Sequence, residues 1–135
     1  VAFHLLIACI ILYEKMKDII NNYRIFRVLS IFWMVTIFYL SSRPKLPVEI
    51  VFYGMDKVLH IVCFGFLGFL FAFSFRPHEE KKPLVRVILI TLMVAFYGGL
   101  DEFHQSFVPG RDANLYDVTA DTIGGLISGV IFRKR

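Results

Sequence analysis

The sequence predicts an all-α fold: a four-helix transmembrane bundle with both termini cytoplasmic and polar motif loops on the outer face. Three observations carry this reading. Hydrophobic residues make up 57% of the 135 and charged residues only 19%, where soluble domains carry roughly a quarter, and the mean hydropathy is +0.65. Four apolar segments recur along the chain, and basic residues gather at alternate ends of them. A soluble domain must cover its surface with polar groups, so lipid is the solvent that suits this composition.

The chain opens on an apolar run, Val1 to Leu12, whose 12 residues are too few for a hydrocarbon core that takes roughly 20. No basic stretch precedes it and no small-residue cleavage site follows, so it does not read as a signal peptide. Met16-Lys17 makes a natural start. Residues 1–15 are therefore read as an N-terminal extension and 16–135 as the membrane domain.

The first apolar segment runs from Tyr23 to Leu40 and the second, free of charge, from Val58 to Phe75. The third runs from Leu84 to Leu100, with Arg86 near enough to its start to snorkel. The fourth, Val118 to Phe132, is only 15 residues long. At about 1.5 Å per residue it covers about 22 Å of a core near 30 Å thick. It must borrow a first turn from Ala113 to Asp117 or sit where the bilayer is thinned.

Orientation follows from Lys and Arg. Lys15, Lys17, Arg24, Arg27, Arg76, Lys81, Lys82, Arg86, Arg133, Lys134 and Arg135 fall on one side, against Arg43, Lys45, Lys57 and Arg111 on the other. The richer side is cytoplasmic, which places both termini there and agrees with an even number of crossings. Acids show the reverse bias: Glu14, Asp18, Glu79 and Glu80 lie inside, whereas Glu49, Asp56, Asp101, Glu102, Asp112, Asp117 and Asp121 lie outside or enter the membrane from there. The net charge of +4 does not imply nucleic acid, because it sits in short clusters beside apolar runs. Cys9 and Cys63 both lie in apolar surroundings and read as small hydrophobes.

Three stretches converge on the outer face. Ser41-Ser42-Arg43-Pro44-Lys45-Leu46-Pro47 leaves the first segment, its prolines favouring an extended loop. Asp56 and His60 open the second; four residues apart, they share a helix face, so the carboxylate can orient or charge the imidazole. The densest stretch runs from Asp101 to Asp112. Asp101, His104 and Gln105 share a face at helical spacing, with Glu102 beside them, and Pro109-Gly110 is a turn that brings Arg111 back towards the helix it has left. There two arrangements are open: the charges pair for structure alone, with Arg111 bridging Asp101 and Asp117, or a functional pocket also leaves groups free to meet a ligand. Asp112 or Asn114 caps the next helix.

In the fourth segment, Asp117, Asp121, Gly124 and Ser128 fall on one stripe about 60° wide when residues are about 100° apart. That stripe is expected to face the bundle, since an acid facing lipid costs roughly 2.5–3.5 kcal/mol or more. Gly125 and Gly129 beside it form a GxxxG pair suited to close packing, including a homodimer contact. No His-Glu-x-x-His or comparable fixed ligand set appears, so neither metal nor other cofactor is expected.

The stretches Ser41-Ser42-Arg43-Pro44, Asp56-Lys57-x-x-His60, Asp101-Glu102-x-His104-Gln105-x-Phe107-Val108-Pro109-Gly110-Arg111 and Asp117-Val118-x-Ala120-x-Thr122-Ile123-Gly124 resemble the VanZ-like membrane proteins, over roughly residues 26–132. The resemblance implies a bacterial cell-membrane protein of four helices, in a family named for an association with low-level teicoplanin resistance and without an established mechanism. Two positions depart from the pattern: Arg43 stands where the family often has glutamine, and Asp121 where asparagine is usual. An amide at 121 would satisfy buried partners without charge.

Two classes of function remain open. In the first, a non-enzymatic envelope protein binds an anionic lipid head group, a cell-wall precursor or a lipoglycopeptide. Its ligand-binding residues are Arg43, Asp56, His60, Asp101, Glu102, His104, Gln105, Arg111, Asp117 and Asp121. Arginine suits such anions because its fork is planar and bidentate. In the second, a membrane-embedded enzyme acts on a lipid-linked head group. His60, Glu102 and His104 are then its catalytic residues, with Asp56 or Asp101 orienting an imidazole. A proton-coupled carrier is a weaker third, since four short helices leave little room for inverted repeats.

Overall fold

The computed structural model describes residues 2–44, 54–75 and 82–134. Lys45, Pro47, Glu49, Arg76, Glu79, Glu80, Lys81 and Arg135, used in the reading of loops and orientation, lie outside the described residues. Among the described residues the fold is all-helical. Its five helices are α1 (Ala2–Asn21), α2 (Tyr23–Ser41), α3 (Met55–Ser74), α4 (Pro83–Gln105) and α5 (Leu115–Ile131).

Helix α1 was not anticipated as an element, because its apolar run alone is short. The helix continues through the polar stretch beyond it, where Glu14 and Lys17 face each other one turn apart at 3.9 Å. Asn22 ends it: this residue leaves helical backbone, and its side chain accepts from the Arg24 N–H at 3.2 Å to start α2.

Three helices, α2, α3 and α4, are long and apolar enough to cross a membrane. Helix α5, at 17 residues, is about 26 Å long. It did take its first turn from the residues before Val118, with Asn114 as the cap: the Asn114 side chain accepts from the Tyr116 N–H at 3.0 Å. Helix α4 runs five residues past the expected Leu100, so Asp101, Glu102, His104 and Gln105 stand on a rigid helix.

Helices α3 and α4 pack against each other and against both α2 and α5, and α5 lies closest to α3 and α4. The apolar core joins Ile37 of α2, Phe64, Leu67 and Phe71 of α3, and Val94 of α4. Two polar ties lock α2 in place: Trp33 Nε1–H donates to the Cys63 carbonyl at 3.0 Å, and the Tyr97 hydroxyl to the Met34 carbonyl at 2.6 Å. Polarity is distributed inside-out. Asp101, Glu102, Asp117 and Asp121 are buried, while Ile31, Phe32, Val62, Leu92 and Phe96 are exposed, as suits an apolar solvent.

The tightest contact is α5 on α3. A Cβ on Gly124 would lie 2.5 Å from the Ile61 carbonyl oxygen and 2.7 Å from the Gly65 nitrogen, both backbone atoms. Ser128, one turn on, donates to the Gly65 carbonyl at 2.5 Å. Gly125 and Gly129 are buried against Val94 and Val87 of α4, so the close approach this pair permits is made within the chain.

Gly124→Ala is expected to lower stability by about 1–3 kcal/mol, because the added carbon meets backbone that cannot rotate away. Gly99→Ala, with no atom within 4 Å of the added carbon, should raise it by up to about 1 kcal/mol through helix propensity. Thermal melting of the two detergent-solubilised variants checks the pair.

Candidate functional site

The polar ends of α2, α3, α4 and α5 meet in two linked networks. In the first, Asp101 is buried and accepts two bonds: from the Ser41 hydroxyl of α2 at 2.6 Å and from Gln105 Nε2 at 2.9 Å. Neighbouring Glu102 accepts from the Asn114 backbone N–H at 2.7 Å, which ties α4 to the cap of α5. Gln105 also approaches Glu102 Oε1 at 3.4 Å.

The second network belongs to α3 and α5. His60 Nδ1 lies 2.8 Å from Oδ1 of Asp121, the least accessible charged residue at 0% exposure. A carboxylate oxygen accepts, so the imidazole proton is assigned to Nδ1, which leaves Nε2 as the free ring nitrogen. One turn above, the Lys57 ammonium donates to Asp117 and, at 2.9 Å, to Asp56 Oδ2. Room for Asp121 comes from α4: a Cβ on Gly98 would sit 2.6 Å from Asp121 Oδ2.

Several expectations are corrected by these contacts. Asp56 pairs with Lys57, whereas His60 turns to Asp121 on another helix. Helical spacing puts Asp56 and His60 on one face, but a part-buried imidazole gains more from a buried carboxylate than from a half-exposed one. Arg111 does not bridge Asp101 and Asp117. Its Nε donates to the Arg43 carbonyl at 2.8 Å and its Nη2 to the Leu40 carbonyl at 3.0 Å, closing the C-terminal end of α2. The turn does form, with Gly110 at φ 83° and the Arg111 N–H bonded to the Val108 carbonyl at 3.1 Å, but it leads to α2 instead of back to α4.

His104 stands apart from His60. Its Nε2 lies 2.9 Å from the Ser42 hydroxyl, and its ring packs 4.2 Å from that of Phe38. Arg43 is exposed and bonds the hydroxyl of Tyr39, with its guanidinium over that ring. Of the ten expected ligand-binding residues, the fold joins Asp101, Glu102 and Gln105 in one network and His60, Asp117 and Asp121 in the other, with Asp56 at its edge. Arg111 buttresses α2, and His104 and Arg43 lie to the side. Two participants were missed, Ser41 and Lys57. Both stand in motifs quoted above, and neither residue type draws attention without its tertiary partner.

A cavity of about 150 Å³ opens between α2, α3 and α4. Its surface is largely apolar; Leu40, Leu59 and Phe64 line it together with Ser41, His60, Asp101, Gln105 and Arg111. Near it, one ligand atom each from His60, Glu102 and Asp117 lies within 4.8 Å of the other two. No metal was expected because no local motif is present; these three residues come from three different helices.

A family model described as VanZ/LLP1 matches residues 1–134. An uncharacterized protein of Schizosaccharomyces pombe, C11E3.10, is 32% identical over 115 residues, which cover 81% of this chain and 66% of that protein. This chain thus spans just under two thirds of that relative's length. No solved structure matches.

Asp121→Asn should fold with little loss, since an amide oxygen still accepts from His60 Nδ1–H. Asp121→Leu strands the imidazole and crowds Gly98, and should cost about 2 kcal/mol or more. Arg111→Ala leaves the Leu40 carbonyl of α2 and the exposed Arg43 carbonyl just beyond it without their donor and should cost about 0.5–1.5 kcal/mol. Melting of the three variants beside the parent checks these values.

Proposed function

The chain belongs to the VanZ/LLP1 family, and on that footing we propose that it is a four-span membrane protein, both termini cytoplasmic, whose outer polar site binds a phosphate-bearing lipid head group. The observation that carries this reading is the cavity between α2, α3 and α4. Its surface is largely apolar, and Ser41, His60, Asp101, Gln105 and Arg111 are among the residues that line it, so it suits an apolar chain that carries a small polar group. At about 150 Å³ it suits a head group, not a drug-sized ligand, for which pockets run roughly 300–1,000 Å³. That argues against a whole lipoglycopeptide. A relative in a yeast likewise favours a phosphate-bearing lipid, common to all membranes, over a cell-wall precursor confined to bacteria. A place in the bacterial envelope and a role in teicoplanin-type resistance follow only if the lipid bound is one that antibiotic action depends on.

Orientation is supported by the way basic residues meet at the end opposite the site. Arg27 and Arg86 both reach the last turn of α3, donating to the carbonyls of Ser74 at 3.1 Å and Ala72 at 3.1 Å. This arrangement agrees with the positive-inside rule.

One specific observation favours enzymatic turnover as a second reading: the imidazole of His60, held by the wholly buried Asp121, has the arrangement of an oriented general base.

Topology is checked by cysteine labelling in a background lacking Cys9 and Cys63. Ser106→Cys and Asp112→Cys should label in intact cells and Glu79→Cys only after permeabilisation; labelling of position 79 from outside overturns the four-span arrangement. Function is checked with purified protein in nanodiscs of neutral lipid, titrated with phosphatidic acid or an isoprenoid phosphate. Saturable binding without change in the lipid is expected of a binder, and release of phosphate of an enzyme. Absence of both ends the proposal.

A further inference from the structure

We propose that His60, Glu102 and Asp117 form a site for one divalent cation of the transition series, represented by Zn²⁺ or Mn²⁺. The site itself stands on geometry independent of the lipid reading. The ion's use in holding a phosphate oxygen rests on that reading.

Three independent features point to it. The first is convergence. The three candidate ligand atoms lie within 4.8 Å of one another, and ligands about 2.0–2.2 Å from one tetrahedral ion lie about 3.3–3.6 Å apart. Small side-chain rotations close the difference. Each ligand comes from a different helix, and Glu102 and Asp117 are buried, so the positions are fixed by packing instead of by a loop. The Asn114 N–H holds Glu102 by Oε2, and Lys57 holds Asp117 by Oδ1, which leaves Oδ2 of Asp117 for an ion.

The second feature is the support behind His60. A metal-bound histidine commonly donates its other ring N–H to a carboxylate, which sets the tautomer and raises the basicity of the ligating nitrogen. Asp121 does this here, at 2.8 Å from Nδ1, and so presents Nε2 as the ligand. Asp121 is 0% exposed, and its Oδ2 has no protein hydrogen-bond partner. That oxygen faces Gly98, one helical turn from Glu102 on α4. A carboxylate buried so completely beneath the three ligands, with one oxygen unpartnered, is stabilised by positive charge on the imidazole side.

The third feature is charge. Asp101, Glu102, Asp117 and Asp121 are all buried at this end. Arg111, which lines the cavity beside Asp101, spends donors on the carbonyls of Leu40 and Arg43, and Lys57 is shared between Asp117 and the outlying Asp56. Isolated buried charge is costly unless paired or bound to metal. A doubly charged ion among Glu102, Asp117 and His60 supplies the missing positive charge.

Ligand chemistry selects the ion. Ca²⁺ takes six to eight oxygens, and Mg²⁺ prefers an octahedron of oxygen donors, whereas imidazole with carboxylates suits Zn²⁺ and Mn²⁺. Three protein ligands leave coordination positions open to an outside oxygen, which is how a phosphate would be held in a site lined by acids.

The test uses the full chain in nanodiscs, stripped with EDTA and titrated with Co²⁺ as a spectroscopic probe. We expect ligand-field absorption saturating at one Co²⁺ per chain and lost on adding Zn²⁺. Glu102→Gln and Asp117→Asn should each weaken Co²⁺ binding by at least ~10-fold, while Asp112→Asn, an exposed acid nearby, should not. Melting without metal establishes that each variant is folded. Wild-type protein that takes up no Co²⁺, or folded Glu102→Gln and Asp117→Asn variants that bind as the wild type does, would overturn the site. Co²⁺ binding as expected, with no phosphate-lipid binding by the Zn²⁺-loaded protein, would support the cation site and sink the lipid reading alone.

Discussion

Everything at the polar end depends on how closely α5 is allowed to approach α3. At Gly124 the separation is so small that a single added carbon would fall 2.5 Å from the Ile61 carbonyl oxygen. This contact sets the height and rotation of α5. With it, Asp121 faces His60 and Asp117 faces Lys57; a larger residue would push both acids away from their partners. Gly98 serves the same end from α4, since its missing side chain is the space that Asp121 fills. The small residues and the acids of α5 are one device: the first admit the helix, and the second are what it delivers.

The arginines and the acids solve different problems. Arg27 and Arg86 satisfy carbonyls in the last turn of α3, and Arg111 does so for α2. Helix C-termini leave carbonyls without intrahelical partners, and in an apolar solvent these cannot be left to water. Arg111, the arginine at the acidic end, is therefore committed to backbone, and Arg27 and Arg86 lie at the opposite end. The acids are left with hydroxyl, amide and backbone N–H donors, one lysine and one imidazole. This division explains why the site is acidic although the chain as a whole carries a net charge of +4.

Local pattern made much of this legible in sequence. The apolar segments match α2, α3 and α4 to within a few residues at most ends. The stripe of Asp117, Asp121, Gly124 and Ser128 is buried as helical periodicity requires, and Asn114 caps α5. Spacing could not decide partners. His60 has one carboxylate four residues away and another 61 away, and it takes the distant one because that group is buried beside it. Arg111 was matched to acids by charge, whereas backbone carbonyls claimed it. Lys57 and Ser41 gain meaning only from α5 and α4, and the approach of His60, Glu102 and Asp117 leaves no trace in a chain where they are spread over three helices. Helix α1 is hidden for a different reason: its apolar run is too short for a membrane span, and only the charged stretch after it completes the helix.

The His60–Asp121 pair is the point at which packing becomes chemistry. A double-mutant cycle on stability isolates it from each residue's other contacts. His60→Ala and Asp121→Ala, singly and together, should give a coupling of about 1 kcal/mol or more, within the range expected of residues joined in one hydrogen-bond network. The matching cycle for His60 and Asp56 should give a value near zero. A negligible coupling between His60 and Asp121, or a larger one between His60 and Asp56, would contradict the arrangement from which the site is built.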